Sequence, residues 1–195
     1  MWRCCNAIEK LEMKKSLIIT TLFFFTRLLS ADAAVPLSSG ADSDATVDVE
    51  QQQLQWCFVY SNRLGYEINH IDEPRLFETV SRWIGTPYKY GGDSRHGIDC
   101  SGFAGLVYRT VYDRHLEGGS AQIYPKTTPV DRKDLHEGDL VFFKIYSSRI
   151  SHVGVYLGQN KFAHASVQLG VIVSDLDEPY YDKRFFKGGR FTSSK

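Results

Sequence analysis

The feature that most restricts the fold is a change of sequence pattern near Gly138. Beyond this point the chain consists of β-branched and aromatic runs separated by short breaks of Gly, Asn and Ser. Such breaks leave no room for crossover helices, so we predict strands that pair in antiparallel fashion. One break, "GQN", has the composition of a tight hairpin turn. The predicted strands are "GDLVFFKI", "HVGVYLG", "KFAHAS" and "GVIVSDL".

Helical patterns precede these strands. Residues 72–83 repeat apolar side chains at helical spacing, with Asp72 placed to cap the helix and Pro74 suited to its first turn. A second apolar pattern of the same kind follows Cys100, which puts this cysteine at a helix N-terminus. Turn residues dominate 118–135, so we predict a loop there. Helices followed by strands predict an α+β domain.

The N-terminal segment has the order of features found in a signal peptide. Met13 begins a basic stretch that precedes an apolar run at 17–25, and small residues follow at Ala31 and Ala33. The run is short for a membrane span, so we expect cleavage rather than stable insertion. We therefore expect an exported protein with a leader over residues 1–33, for which Met13 is an alternative start.

The remainder of the chain is organised around one domain. Residues 34–48 are rich in Ser, Ala and Asp without periodicity, which predicts a flexible mature N-terminus. Residues 49–195 are long enough to bury one core, so we predict a single catalytic domain with an N-terminal helical extension. The formal net charge is zero, which supplies no basic field for phosphate groups and argues against a nucleic-acid partner.

The cysteines differ in their expected roles. Loss of the leader would remove Cys4 and Cys5 and leave Cys57 and Cys100. Cys57 lies in the apolar stretch "WCFVY", where a buried hydrophobic role is expected. A thiol that stays unpaired in an exported protein must be protected or used, so Cys100 is the candidate functional thiol. We expect no disulfide between the two.

Cys100 has the local setting of a nucleophile. An unperturbed thiol has a pKa near ~8.5 and is mostly protonated at neutral pH. A helix N-terminus and a neighbouring imidazolium both stabilise the thiolate. From this local setting we predict a lowered pKa for Cys100.

Two of the six histidines, His152 and His164, lie inside predicted apolar strands. Burying an imidazole without a partner costs about 1–3 kcal/mol, so both are expected to be hydrogen-bonded. On adjacent strands, His164 can bond one ring nitrogen of His152 and leave the other facing the thiol of Cys100. The same three side chains can also hold zinc, and this alternative stays open although the chain has no CxxC or HxxxH pair.

Five stretches, in a fixed order, carry a further signal. They are "GTPYKYGGDSRHGIDCSGF", "LHEGDLVFF", "SHVGVYLGQNKFAHAS", "GVIVSDL" and "RFFKGGRF". From about Leu76 to Phe191 the chain thereby resembles the NlpC-type family of bacterial cell-wall cysteine peptidases. The resemblance implies a reduced papain-like fold, in which a helix carries the nucleophile at its N-terminus and packs on a mainly antiparallel sheet.

The resemblance also implies roles for the residues of the reacting centre. Cys100 matches the family's nucleophile, and His152 matches its general base. His164 matches the polar residue that orients this base. Tyr88 matches a tyrosine whose hydroxyl points at the nucleophile and binds or polarises the substrate.

Other matched positions concern contact with the substrate and the stability of the fold. Asp99 and Ser101 match flanking residues that contact the stem peptide in relatives, while a capping role for Asp99 is equally open. Arg190 matches an arginine with a structural role. Two departures from the family pattern affect the expected pocket: Tyr90 stands where many relatives have tryptophan, and residues 118–129 do not align.

The function implied by the resemblance is hydrolysis of peptidoglycan stem peptides or muropeptides at the bond between γ-D-glutamate and a diamino acid. No metal or other cofactor is implied, and the location is the periplasm or the cell surface. We expect a monomer. Two alternatives remain open: a non-catalytic wall-binding module, and a thiol amidase or acyltransferase that acts on another amide.

Overall fold

The computed structural model describes residues 44–146 and 148–191 of the chain. It divides into two compact units between Ile71 and Asp72. The first unit contains helix α1, Asp44–Leu64. The second contains, in chain order, α2 Pro74–Trp83, β1 Asp93–Ser94, β2 Gly97–Ile98, α3 Cys100–Tyr112, α4 Ser120–Ile123, β3 Thr128–Val130, β4 Leu140–Phe143, β5 His152–Tyr156, β6 Lys161–Ser166, β7 Gly170–Asp175, α5 Pro179–Asp182 and β8 Phe185–Arg190.

The first unit is built around α1, which buries Cys57, and around Ile68 in the segment after the helix. Because α1 begins at Asp44, the prediction of a flexible segment is wrong for residues 44–48. Two acidic residues, Asp44 and Asp48, lie in the first turns, where they are favourable, and the good helix formers of residues 50–55 continue the helix. The rest of that segment, like the predicted leader, lies outside the described residues. Within the described part of the chain, no helix has both the length and the apolar character needed to cross a membrane.

Helix α2 is capped one residue later than predicted. Glu73 is the N-cap, and its Oε1 accepts a hydrogen bond from the backbone N–H of Arg75 at 3.2 Å. Asp72 is instead tied to Glu137, whose carboxylate accepts its backbone N–H at 2.9 Å. Pro74 takes the first helical position, as predicted.

Six strands form one sheet in the order β3-β8-β4-β5-β6-β7, and all of its pairings are antiparallel. The four predicted strands are β4 to β7, which follow one another along the chain and lie side by side. Strand β8, which the sequence pattern did not predict, returns to lie between β3 and β4. The predicted α+β class is confirmed.

Residues 118–135 are more regular than the predicted loop. They contain α4, β3 and two short 3₁₀ turns, at Tyr124–Lys126 and Arg132–Asp134. Turn residues are dense here because each of these elements is only three or four residues long. The prediction of an irregular loop is therefore wrong.

Arg190 ties the end of β8 to the segment that precedes β4. Its Nε and Nη2 donate to the two carboxylate oxygens of Asp139, at 2.7 and 2.6 Å. Asp139 is only 3% exposed and also accepts the backbone N–H of His136. A bidentate pair of this kind fixes geometry strongly, in keeping with the structural role expected for Arg190.

Helix α3 packs against β5 and β6 of the sheet. Its buried side chains recur at three- and four-residue intervals, which gives the helix one apolar face. Cys100 is the first member of this face, so the packing that forms the core also places the thiol beside the sheet. The buried residues are Cys100, Phe103, Ala104, Val107, Tyr108 and Val111.

Candidate active site

Cys100 is the first residue of α3, and Asp99 caps the helix. One carboxylate oxygen of Asp99 accepts the backbone N–H of Gly102 at 2.7 Å. The other accepts the N–H of Gly91 at 2.8 Å. One side chain thus holds both the helix start and the glycine-rich loop before it, which fixes the position of Cys100 between them.

The glycine-rich loop approaches α3 more closely than side chains allow. A Cβ built on Gly102 would lie 2.5 Å from the carbonyl oxygen of Gly92, and one on Gly92 would lie 2.4 Å from that of Gly97. Glycine at these positions lets two backbones come together. The glycines around Cys100 in the sequence therefore have a steric reason.

His152 and His164 lie next to each other on β5 and β6. The Nε2 of His152 and the Nδ1 of His164 are 2.9 Å apart, so the predicted hydrogen bond is present. The two residues are 6% and 1% exposed. Because Nε2 of His152 is engaged, its Nδ1 is the ring nitrogen suited to accept a proton from a thiol.

Aromatic side chains of the core fix the orientation of both imidazoles. Phe162 stacks on the ring of His164, with centroids 4.9 Å apart and an angle of 24° between the planes. Phe143 lies 5.9 Å from the ring of His152, centroid to centroid. Tyr181 meets His164 edge-on at 5.4 Å. The two rings are therefore positioned by packing as well as by their hydrogen bond.

Two hydroxyl groups lie on the far side of His164. Its Nε2 is 3.1 Å from Oγ of Ser174 and 3.2 Å from the hydroxyl oxygen of Tyr181. Neither residue was predicted from the sequence. For Ser174 there was a signal, a polar residue within the apolar run "GVIVSDL"; its cross-strand partner is Phe162. Tyr181 lies on the short helix α5 and carried no signal.

Cys100, His152 and His164 line one cavity of about 510 Å³. This volume lies within the range of ordinary small-molecule and peptide sites. The edge of the cavity is apolar and aromatic, with four residues that are 45–74% exposed. They are Tyr146, Val167, Leu169 and Tyr180.

Burial dominates the protonation of the Cys100 thiol and of the His152 imidazole. It raises the pKa of Cys100 to about 11, although hydrogen bonds from backbone N–H groups, first among them that of Val153, act in the opposite direction. Burial also lowers the pKa of His152 to about 4. The predicted lowering of the thiol pKa is therefore wrong. Packing against the sheet removes water that both charged forms need, so the pair is a thiol and a neutral imidazole at neutral pH.

We expect the alkylation rate of Cys100 by iodoacetamide to rise about tenfold per pH unit between about pH 6 and about pH 9. The thiolate is the reactive form, and a pKa of about 11 leaves its fraction increasing over this whole range. Peptide mapping by mass spectrometry measures the rate at this residue alone. A rate that is constant with pH would contradict the neutral pair and would indicate a thiolate–imidazolium pair instead.

Tyr88 lies in the wall of the same cavity, half-buried. Burial is the main cause that raises the pKa of its hydroxyl, and the charge of an ionised Cys100 is the next. The structure thus brings this hydroxyl into the electrostatic range of the thiol. Tyr90, in contrast, is 89% exposed and does not line the cavity.

Asp99 and Ser101 lie apart from that cavity. The hydroxyl of Ser101 donates to Asp99 at 2.8 Å, and both residues line a second cavity of about 320 Å³ beside α3. The capping role of Asp99 is present, as described above. Contact of either side chain with a substrate stays a prediction, and it requires a substrate that extends across the start of α3.

The alternative zinc site would need ring nitrogens that are already in use. The hydrogen bonds of the pair engage Nε2 of His152 and both ring nitrogens of His164. Among the described residues, no cluster of three or more His, Cys, Asp and Glu side chains has the arrangement of a metal site. The donor set therefore fits hydrogen bonding between the histidines better than coordination.

Gly154, the glycine of "HVG", permits close contact between β5 and β6. A Cβ on this residue would lie 2.7 Å from Cδ2 of Phe162 and 2.9 Å from the carbonyl oxygen of Ala163. It would also lie 3.3 Å from Cβ of His164. The absence of a side chain at this position therefore keeps the two histidine-bearing strands in register.

We expect Gly154→Ala to lower the free energy of unfolding by about 1–3 kcal/mol, because the added methyl group overpacks this contact. Urea denaturation measures the change. Gly105→Ala is the matched control: it lies within α3, its added Cβ would be 3.8 Å from the nearest atom, and it should be neutral or stabilising. Equal stability of the two variants would contradict the steric role of Gly154.

A family of known proteins matches most of the second unit. The sequence profile of the NlpC/P60 family matches residues 85–190. The probable endopeptidase NlpC of Escherichia coli (strain K12) is 42% identical over 116 residues, which are 59% of this chain and 75% of that protein. The murein DD-endopeptidase MepS/murein LD-carboxypeptidase of the same strain is 36% identical over 127 residues, 65% of this chain and 67% of that protein.

The fold is similar to that of solved structures as well. An NlpC/P60 family protein from Bacillus cereus superposes with a TM-score of 0.56 at 28% identity, over 64% of this chain and 43% of that one. The matched residues include Cys100, His152 and His164, and the α+β architecture is shared. The chain therefore belongs to the NlpC/P60 family of cysteine peptidases.

Proposed function

We propose that this protein is an exported peptidase that hydrolyses peptidoglycan stem peptides at the bond between γ-D-glutamate and the diamino acid. The observation that carries the proposal is the common cavity of Cys100, His152 and His164, with the two imidazoles hydrogen-bonded at 2.9 Å. The names of the two Escherichia coli relatives, an endopeptidase and a murein endopeptidase, support the substrate class. The particular bond follows from the family resemblance.

The first half of the reaction forms an acyl-enzyme. The sulfur of Cys100 attacks the scissile carbonyl carbon while Nδ1 of His152 accepts the thiol proton. Backbone N–H groups at the start of α3 and the hydroxyl of Tyr88 stabilise the oxyanion, each such donor contributing about 2.7–4 kcal/mol. The carbon–nitrogen bond then breaks, and the His152 imidazolium gives its proton to the leaving amine.

The second half releases the acyl group. Water attacks the thioester while Nδ1 of His152 accepts one of its protons, and the carbon–sulfur bond breaks. The proton returns to the sulfur, so the enzyme ends as it began. His164 takes no proton in this cycle: burial, with the nearby His152, lowers its pKa well below the ordinary value. Its role is to orient a neutral base.

Export and a monomeric enzyme are parts of the same proposal. The substrate class lies outside the cytoplasmic membrane, and the sequence predicts a cleavable leader over residues 1–33. All of the reacting side chains come from one chain, so a second copy is not needed to complete the cavity.

A second candidate is hydrolysis of a D,D bond in murein. The observation that favours it is the name of MepS, a DD-endopeptidase that is 36% identical to this chain. Both candidates use the same nucleophile and base, and they differ only in which amide lies over Cys100.

Product analysis on defined substrates tests the proposal. The purified enzyme is incubated with tripeptide stems, tetrapeptide stems and cross-linked dimers, each with and without the attached sugar, and the products are identified by mass spectrometry. We expect a free γ-carboxyl group on the D-glutamate and a free α-amine on the diamino acid. Cleavage of cross-links alone would favour the D,D candidate. Binding without any change of mass would indicate a wall-binding module, and turnover of another amide alone would indicate an amidase or acyltransferase.

A further inference from the structure

The hydroxyl groups of Ser174 and Tyr181 form a polar cluster behind His164. Ser174 is 6% exposed and Tyr181 is 9% exposed, and both line the same cavity as His164. Both oxygens lie within reach of the same atom, Nε2 of His164, at 3.1 and 3.2 Å. Tyr181 is also hydrogen-bonded to Ser174. The cluster therefore offers two acceptors to a single ring nitrogen.

The proton on this ring nitrogen determines where the proton of the next imidazole lies. A neutral imidazole has one N–H and one acceptor nitrogen. If His164 carries its proton on Nε2, its Nδ1 is an acceptor, and His152 must donate to it from Nε2. Nδ1 of His152 is then free of a proton and can accept that of a thiol. If His164 carries its proton on Nδ1, it donates to Nε2 of His152, so the hydrogen bond between the rings reverses its direction. His152 then presents an N–H to Cys100.

We propose that Ser174 and Tyr181 are positioning residues that hold the proton of His164 on Nε2 and thereby keep His152 in the tautomer that can act as a base. A hydroxyl oxygen accepts this N–H without any change of charge. One O–H of the cluster is used between the two hydroxyls and the other is directed into the cavity, so acceptor lone pairs remain for the imidazole. The inference rests on the proposed function, because it assumes that His152 is the base.

Redundancy between the hydroxyls gives the inference a distinctive test. Either oxygen alone can accept the N–H, so Ser174→Ala or Tyr181→Phe should each reduce the kcat/KM of stem-peptide hydrolysis less than about fivefold. The double variant leaves a buried N–H without a protein acceptor, which favours the other tautomer. We expect its kcat/KM to fall about 10–100-fold, more than the product of the single effects. Ser174→Thr, which keeps a hydroxyl, should restore the rate in the Tyr181→Phe background.

Matched controls separate positioning from packing. Tyr156 is a buried tyrosine of the same core cluster, and its hydroxyl accepts the N–H of Asn160 rather than contacting a histidine. Ser120 is a buried serine at the start of α4. Tyr156→Phe combined with Ser120→Ala should leave kcat/KM within about twofold of the wild type.

Nitrogen-detected NMR of ¹⁵N-histidine-labelled protein reads the tautomers directly and needs no substrate. We expect protons on Nε2 of both His152 and His164 in the wild type, and on Nδ1 of both in the double variant. A proton on Nδ1 of His152 in the wild type would overturn the inference, even if the double variant does not fold. So would a double variant with unchanged tautomers and rate. A wild type with the expected tautomers that cleaves no stem peptide would contradict only the proposed function.

Discussion

Replacing Cys100 with alanine is expected to reduce the kcat of stem-peptide hydrolysis by about 10⁴–10⁶-fold, as is typical when an enzyme loses its nucleophile. Without the sulfur no acyl-enzyme can form, and the remaining N–H donors stabilise an oxyanion only for direct attack by water. The measurement is the single-turnover rate with a defined stem peptide, followed by mass spectrometry.

The fold should survive this change. Cys100 is already at the edge of the core, 9% exposed, and the helix cap is formed by Asp99 rather than by the thiol. The circular dichroism spectrum and the thermal midpoint should therefore stay close to those of the wild type. Cys57→Ala, which removes the buried thiol of α1, is the matched control and should keep the activity. Hydrolysis that persists in folded Cys100→Ala protein would refute the assignment of the nucleophile.

Replacing His152 with glutamine should lower kcat/KM by about 10²–10⁴-fold, the usual contribution of general acid–base catalysis. Glutamine can still hydrogen-bond to Nδ1 of His164, so the strand pairing is kept, but an amide cannot accept and return the proton. The measurement is the steady-state rate of hydrolysis of a defined stem peptide.

His136→Gln is the control for this variant. His136 is an exposed histidine whose backbone, not its ring, bonds Asp139, and its replacement should leave kcat/KM unchanged. Equal kcat/KM values for His152→Gln and His136→Gln would show that the base is another residue.

Much of the fold could be predicted because it follows local patterns. Strands β4 to β7 contain uninterrupted β-branched and aromatic residues, and the links between them are too short for helices. Strand β8 carries "KGG", and glycine weakens a strand pattern. In the structure these glycines are needed for packing: a Cβ on Gly188 would lie 2.5 Å from Leu135, and one on Gly189 would lie 2.3 Å from Thr127. Contacts between distant segments were not visible in the local pattern.

The candidate site shows the same difference between local sequence signals and contacts between distant segments. The position of Cys100 and the histidine pair could be predicted because a helix start and polar residues within apolar strands are local signals. The protonation state of the thiol could not, since it depends on how deeply the sheet covers the start of α3. The local expectation considered the helix dipole, whereas desolvation has the larger effect on Cys100. Ser174 and Tyr181 reach His164 only through the order of the strands and the placement of α5.

The chemistry proposed here requires that activity depends on one sulfur atom, and titration of that atom tests it most directly. The enzyme is alkylated with increasing amounts of iodoacetamide, and each sample is divided between peptide mapping and a hydrolysis assay. We predict that the remaining activity falls in proportion to the modified fraction of Cys100 and reaches zero when this residue is fully modified. Activity that persists after complete modification of Cys100, or that falls in proportion to the modified fraction of Cys57 instead, would contradict the assignment of Cys100 as the nucleophile.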